Sequence, residues 1–336
     1  MSFIKWTDIE NFHNVRKAAV KYYSISEPIT YRGKIKLHGT NAGIIIKPNG
    51  DIFAQSRSGI IGTGNDNAGF AQYIENTKDY WSTLATTEQI TIFCEWFGKG
   101  IQKGVAASQI VSKHVAIFSI QIGEYDEDGN ADMIIEPSEI EKYIAVDSKP
   151  DNVHILPWYG EKIIIDYTDT TSLEVIVEKL NKEVETVEAC DPWIKDVFGI
   201  SGTGEGLVYY PISFSKNGVI NRWHLSRYLM KCKGEKHKVQ KDRKAVILDP
   251  EIVASSNAFV EKFVTESRLE QGATEVNRGV LDFDTKLIGP FLKWFNGDVN
   301  KECTDELEAS GLEWKQVAKG VSTAARNWYI EKSKEL

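Results

Sequence analysis

The hydrophobic pattern changes once along this chain, near residue 240, and that change constrains the fold more than any other feature. Before it, apolar residues come in short alternating runs cut by Gly, Asn, Asp and Pro. The spacing predicts strands over 29–37, 42–47, 52–56, 90–97, 115–122, 206–211 and 227–233. Helices are predicted over 70–84, 138–146 and 172–187. Beyond Lys244 the period becomes helical, over 249–266, 283–295, 301–310 and 313–333. The pattern is that of an α+β domain over 1–240, with antiparallel sheets flanked by helices, followed by a small all-helical domain over 241–336.

Length agrees: 336 residues suggest two domains at about 150 residues each. A hydrophobic fraction of 42% with 26% charged residues excludes a mainly disordered chain. No apolar run reaches the roughly 18 residues of a membrane span. The first twenty residues contain Asp8 and Glu10 and no apolar core of a secretory signal, so the expected compartment is the cytoplasm. Cys94, Cys190, Cys232 and Cys303 form no CxxC pair, which argues for reduced thiols and against a zinc site.

The net charge is −8, but its distribution matters more than its sum. Between Arg227 and Lys244 eight basic residues stand against two acids, whereas 245–336 carries 11 basic and 16 acidic residues. A local basic block in an acidic chain suits either a polyanion site of limited extent or a solvated linker.

Lys34-Ile35-Lys36-Leu37-His38-Gly39-Thr40-Asn41 is the most informative segment. A strand there puts Lys36 and His38 on one face and turns Ile35 and Leu37 to the core. A lysine held at a strand end can be a nucleophile if its amine is activated; it can also be an ordinary exposed lysine. Arg57 follows a strand and enters a Gly-containing loop, where it can fork onto phosphate or simply face solvent. Glu95 lies in the aromatic strand Phe93-Cys94-Glu95-Trp96-Phe97 and needs either a partner or an edge facing water. Phe118 is a core residue or a stacking platform for a base. Glu205 lies among glycines at 202, 204 and 206, as a turn residue or as a carboxylate for a divalent cation. Lys231 and Lys233 share a strand face, where their repulsion is relieved by an anion such as phosphate. The chain contains no GxxxxGK[ST] loop.

Taken in order, these segments resemble the motifs of the covalent nucleotidyltransferase superfamily of ATP-dependent ligases and capping enzymes. Lys36-Leu37-His38-Gly39-Thr40-Asn41 is similar to the K-x-H-G-T-N signature of the phage RNA ligase 2 family, which includes kinetoplastid RNA-editing ligases. DNA ligases and capping enzymes carry K-x-D-G, so His38 favours RNA ligase. Phe97-Gly98-Lys99-Gly100-Ile101-Gln102-Lys103 is also similar to that family, and the resemblance spans about 30–235. Ser119, where several relatives have Asp, and Tyr209-Tyr210, where relatives often have Lys, depart from it.

The resemblance implies an ATP-grasp-like nucleotidyltransferase fold and a set of roles. Lys36 would carry AMP, with His38 assisting later steps. Arg57 would contact the nucleotide phosphate or the RNA 5′-phosphate, Glu95 the ribose and Phe118 the adenine. Glu205 would place the metal, and Lys231 and Lys233 would hold the α-phosphate. The implied cofactors are ATP and Mg2+, with Mn2+ as an alternative ion. The implied partner is RNA with 3′-OH and 5′-phosphate ends, in a nicked or gapped duplex, engaged by a monomer. Lys236, Lys238 and Lys241 of the basic block would join Arg57 on the RNA backbone. The competing readings are a DNA ligase, a capping guanylyltransferase and a catalytically silent RNA-end-binding module.

Overall fold

The computed structural model describes residues 3–23, 25–234, 256–277, 279–281, 283–304, 306–307 and 312–334. The chain divides into two compact units, Met1–Lys241 and Asp242–Leu336.

In the first unit the short alternating runs form two sheets. The five-stranded sheet has the order β1 (Glu10–Asn11), β13 (Met230–Lys233), β11 (Gly206–Pro211), β2 (Ile29–Lys36), β10 (Tyr159–Ile165). The eight-stranded sheet runs β12 (Val219–Asn221), β8 (Asp132–Ile134), β7 (Lys113–Ile122), β6 (Ile90–Gly98), β3 (Thr40–Ile46), β4 (Ile52–Ser56), β5 (Ile60–Ile61), with β9 (Val153–Ile155) also on β7. All pairs are antiparallel except β1 with β13 and β7 with β9.

Both sheets are covered on both faces. Along β3, Ile44 and Ile46 enter one core and Ile45 the other, as a two-residue period demands. Ile45, Phe93, Phe97 and Ala116 face the five-stranded sheet. Ile44, Ile92, Cys94 and Ile117 face α2 (Phe70–Asn76), α3 (Lys78–Ser82) and α4 (Pro137–Tyr143). Helix α5 (Thr170–Ala189) begins where the Asp169 carboxylate accepts the N–H groups of Thr171 and Ser172. Its stripe Leu173, Val177, Leu180, Val184 and Val187 is buried and packs on the five-stranded sheet beside α1 (Phe12–Lys21).

Some elements differ from the sequence expectation. The helix expected over 70–84 is broken at Thr77. The expected strand over 227–233 begins as helix α7 (Arg222–Tyr228), because Asn221 caps it by accepting the Trp223 N–H; only β13 is extended. Helix α6 (Pro192–Phe198) and strands β1, β5, β8, β9 and β12 carry too few residues for a clear period, and β10, of seven residues, has its pairing with β2 shifted between Tyr159 and Ile163.

The second unit is helical where described: α8 (Ser256–Phe263), α9 (Glu266–Val276), α10 (Ile288–Glu302) and α11 (Trp314–Lys334). Phe259, Leu269, Phe291, Phe295, Val299, Val317, Val321 and Tyr329 form its core. The helix expected over 249–266 ends at Phe263, since Thr265 is extended, and its expected start lies outside the described residues. The helix expected to stop at 295 continues to Glu302 because Val299 extends its buried stripe. The four cysteines are free thiols. Among the described residues no helix is long and apolar enough to cross a membrane.

Candidate nucleotide-binding site

The site is laid out by the ladder of β2, β11 and β13. Lys36 pairs with Gly206, which pairs with Lys233; one step along, Lys34 pairs with Val208, which pairs with Lys231. Lys36 and Lys233 thus flank one glycine. Gly206 has φ +142°, and a Cβ there would strike the Cys232 carbonyl and sit 3.0 Å from Lys233 Cα. Only glycine lets β13 close here with Glu205 just before it.

Glu205 gathers three groups. Lys36 Nζ donates to Oε2 at 2.7 Å, and Lys233 Nζ lies 2.9 Å from Oε1. His38 Nδ1 lies 3.3 Å from Oε2. Burial pushes the Glu205 carboxyl up, but Lys233, Lys36 and His38 outweigh it and hold it well below the usual carboxylate range. The Glu205 side chain is 12% exposed, so the exposed-turn alternative is excluded.

Glu95 is also not on an edge: β6 lies between β3 and β7. Its Oε1 accepts the Gly39 N–H at 3.0 Å, and Gln102 Nε2 donates to the Gly39 carbonyl at 3.0 Å. A Cβ on Gly39 would meet the Trp96 carbonyl, Phe97 Cβ at 2.9 Å and Glu95 Cγ at 3.0 Å. The turn after Lys36 is therefore pinned to the other sheet at a point only glycine can occupy.

Phe118 owes its place to a β-bulge. Phe93 pairs with Ser119 but Cys94 pairs with Ile117, leaving Phe118 as the extra residue on β7. Its ring packs edge-on to Trp6, with centroids 4.9 Å apart. The carbonyl of Phe118 accepts from Lys34 Nζ at 2.9 Å. Lys34 is 1% exposed, and its amine lies 4.7 Å from the Trp158 ring centroid and 5.3 Å from that of Tyr210. Burial pushes the Lys34 amine down to about 7, against a smaller upward pull from Glu136.

Between the sheets lies a small pocket lined by residues that include Lys34, Lys36, Asn41, Glu95, Phe118 and Val208. Trp6 and Ile9 close one wall. Their segment is clipped down by Gln55, whose Oε1 accepts the Ile4 N–H and whose Nε2 donates to the Ile4 carbonyl. The lining thus combines the amines of Lys34 and Lys36 and the carboxylate of Glu95 with aromatic and aliphatic side chains. A planar heterocycle bearing an anionic group suits that combination.

Residues 30–233 match the sequence model of the RNA ligase family. The chain belongs to the RNA ligase family. No curated protein matches the chain of this family member. Among solved structures, 67 chains match. A Naegleria gruberi RNA ligase variant with ATP and Mn is 15% identical over 69% of this chain and 57% of its own, at a TM-score of 0.44. Another variant with ATP and Mn is 16% identical over 71% and 60%, at 0.45. The same enzyme with PPi is 15% identical over 68% and 59%, at 0.42. The chain therefore spans less than two thirds of the length of these ligases.

Of the residues singled out in the sequence, the fold gathers Lys36, His38, Glu205 and Lys233 at one carboxylate, with Glu95 and Phe118 on the pocket. Lys231 stands beside Val208 in the ladder. Arg57 is not among the pocket-lining residues; its side chain is 60% exposed, with Nη2 3.6 Å from Asp8 Oδ1. Lys236, Lys238 and Lys241 lie outside the described residues. Sequence reasoning missed Lys34, Trp6 and Gln102 as parts of the site. Lys34 had a signal: the i, i+2 spacing that puts Lys231 beside Lys233 also puts Lys34 beside Lys36.

Proposed function

We propose that this RNA ligase family member is ATP-dependent and seals RNA 3′-OH and 5′-phosphate ends through a lysyl-AMP intermediate and an RNA-adenylate. The observation that carries the reading is the sharing of one largely buried carboxylate, Glu205, by Lys36 and Lys233, with Lys36 also lining a pocket that includes Phe118 and Val208. An α-phosphate placed there meets Lys36 as nucleophile and Lys233 as counter-charge.

Lys36 attacks as the free amine, after its proton has left. The Nζ–P bond forms as the bond to the β-phosphate oxygen breaks, and pyrophosphate departs. An oxygen of the RNA 5′-phosphate then attacks the AMP phosphorus, the P–N bond breaks, and Lys36 recovers a proton. Finally the 3′-OH attacks the activated 5′-phosphate and AMP leaves. In these steps Glu95 holds the ribose, Phe118 stacks on adenine, Lys231 and Lys233 hold the α-phosphate, and Arg57 contacts a phosphate. His38 assists the later transfers.

The donor set fits a divalent cation carried by phosphate. Mg2+ keeps water and substrate phosphate as ligands beside one or two carboxylates, and Glu205 stands beside Lys36 and Lys233 as one such carboxylate. Glu205 is the carboxylate that would hold it, and the ion would neutralise phosphate charge.

In this reading 1–240 is the adenylyltransferase domain. The region 241–336 engages a nicked or gapped duplex, with Lys236, Lys238 and Lys241 on its backbone. The protein acts as a cytoplasmic monomer in RNA repair. The test is incubation with α-³²P-ATP and Mg2+ after pyrophosphate treatment, comparing wild type with Lys36→Ala on a denaturing gel. A labelled wild-type band absent from the variant is expected. An unlabelled wild type would reject the lysyl-AMP, and labelling by GTP alone would make it a capping enzyme. Sealing of DNA nicks but not RNA nicks would make it a DNA ligase.

A further inference from the structure

Lys34 is the one fully buried lysine among the described residues, and the proposed chemistry gives it no task. An amine that deep is costly unless its donors are used. Among the described residues the Phe118 carbonyl is its one hydrogen-bond acceptor, 2.9 Å away. That carbonyl belongs to the bulge residue, which pairs with neither β6, β8 nor β9. The rings of Trp158 and Tyr210 stabilise a cation but accept no conventional hydrogen bond. The Glu136 carboxylate, which attracts the amine, is engaged by Trp158 Nε1 at 2.9 Å. An ammonium has three N–H donors, so donor capacity remains on the wall of the pocket.

The ladder says what that capacity would meet. Lys34 is the β2 partner of Val208, and it reaches across to the backbone of Phe118 on the other sheet. All three residues line one pocket, so a flat ring held between Phe118 and Val208 would share that pocket with the Lys34 amine.

We propose that Lys34 is a specificity-determining residue that reads the nucleobase, donating a hydrogen bond to a ring nitrogen flanking the 6-amino group of adenine, N1 or N7. The proposal rests on the adenine-nucleotide reading of the pocket. It differs from a purely structural role for Lys34, which would be indifferent to single atoms of the base.

The experiment measures equilibrium binding of ATP, 1-deaza-ATP and 7-deaza-ATP to wild type and Lys34→Met without divalent metal. Each analogue lacks one of the two nitrogens. One of them should bind wild type at least tenfold more weakly than ATP does, the scale of one charge-assisted hydrogen bond. Lys34→Met should weaken ATP binding by a similar factor and lose little more with that analogue. Equal wild-type affinity for all three nucleotides would overturn the proposal, as would ATP affinity unchanged in Lys34→Met or losses that simply multiply. If Lys34→Met does not fold, the wild-type analogue series decides alone. ATP binding without formation of lysyl-AMP would reject the ligase reading and leave the Lys34 assignment standing; no ATP binding at all would reject both.

Discussion

Lys36 and Glu205 meet across a strand boundary: Nζ donates to Oε2 at 2.7 Å, while the Gly206 that follows Glu205 pairs with Lys36 in the ladder. The contact is therefore set by backbone register as well as by side-chain attraction. In the proposed reading Lys36 leaves this carboxylate before it attacks.

Glu205→Gln removes the charge that holds Lys36 and Lys233 together. Losing one partner of a largely buried ionic group should cost on the order of 3 kcal/mol of stability. Labelling by α-³²P-ATP should fall by about a hundredfold, the scale expected when a group positioning transition-state charge is lost. Thermal melting and gel labelling check the two effects separately.

Acid should narrow the gap between wild type and that variant. The Glu205 carboxyl titrates in the folded protein well below its ordinary value of 4.5. Its stabilisation is complete above the ordinary value and is lost as pH falls through the native one. Urea denaturation of both proteins between about pH 6 and about pH 3 should show the difference shrinking towards the acid end. A constant difference would contradict this.

Lys34 should act in the same direction, over a more alkaline window. Its folded amine titrates near about 7 against an ordinary 10.5, so between those values the unfolded chain binds more protons. Native stability conferred at this position therefore rises with pH across that window, by at most about 1.4 kcal/mol per unit. Wild type should gain stability relative to Lys34→Met as pH is raised from about 7 to about 10. Parallel denaturation curves would contradict this.

Gly39→Ala places a methyl group against the Trp96 carbonyl and Phe97 Cβ. Relief by backbone shift should cost about 2 kcal/mol and pull the Gly39 N–H away from Glu95. A several-fold rise in the ATP KM should accompany the fall in melting temperature. Normal KM in a destabilised protein would separate Glu95 positioning from folding.

Truncation near residue 245 should leave Lys36 adenylylation close to wild type and impair nick sealing. Labelling and sealing assays on the same preparation check this. Equal loss of both would reject an RNA-engaging role for 241–336.

Which parts of this were readable in the sequence follows from the distance over which each signal acts. The period of β2, β6 and β11 depends on neighbouring residues alone, so Lys36, Glu95 and Glu205 could be located from their own segments. The bulge at Phe118 depends on how β7 meets β6, and a single strand's sequence does not record an extra residue. Trp6 reaches the pocket because β1 pairs in parallel with β13, joining Glu10 to Met230. No local spacing announces a contact that remote. Arg57 sits after a strand as expected, yet Asp8 of that same N-terminal segment lies beside it. Lys34 was visible as a strand lysine, but its burial comes from Trp158 and Tyr210, whose positions depend on the whole sheet.

The extra residue in β7 changes the rhythm of that strand. Ile117 and Ile120 enter the same helix-covered core although they are three positions apart, while Phe118 turns to the other side. The same residues paired without a bulge would keep only one of those isoleucines in place. The pocket's aromatic wall thus occupies a beat that the rest of the sheet skips. Exchanging Phe118 for another side chain leaves that timing intact; deleting it would bring Ile117 and Ser119 together as successive partners of Cys94 and Phe93, restoring plain alternation with Ile117 and Ile120 still on one face. The ladder closes with or without this residue, so Phe118 serves the pocket and not the sheet.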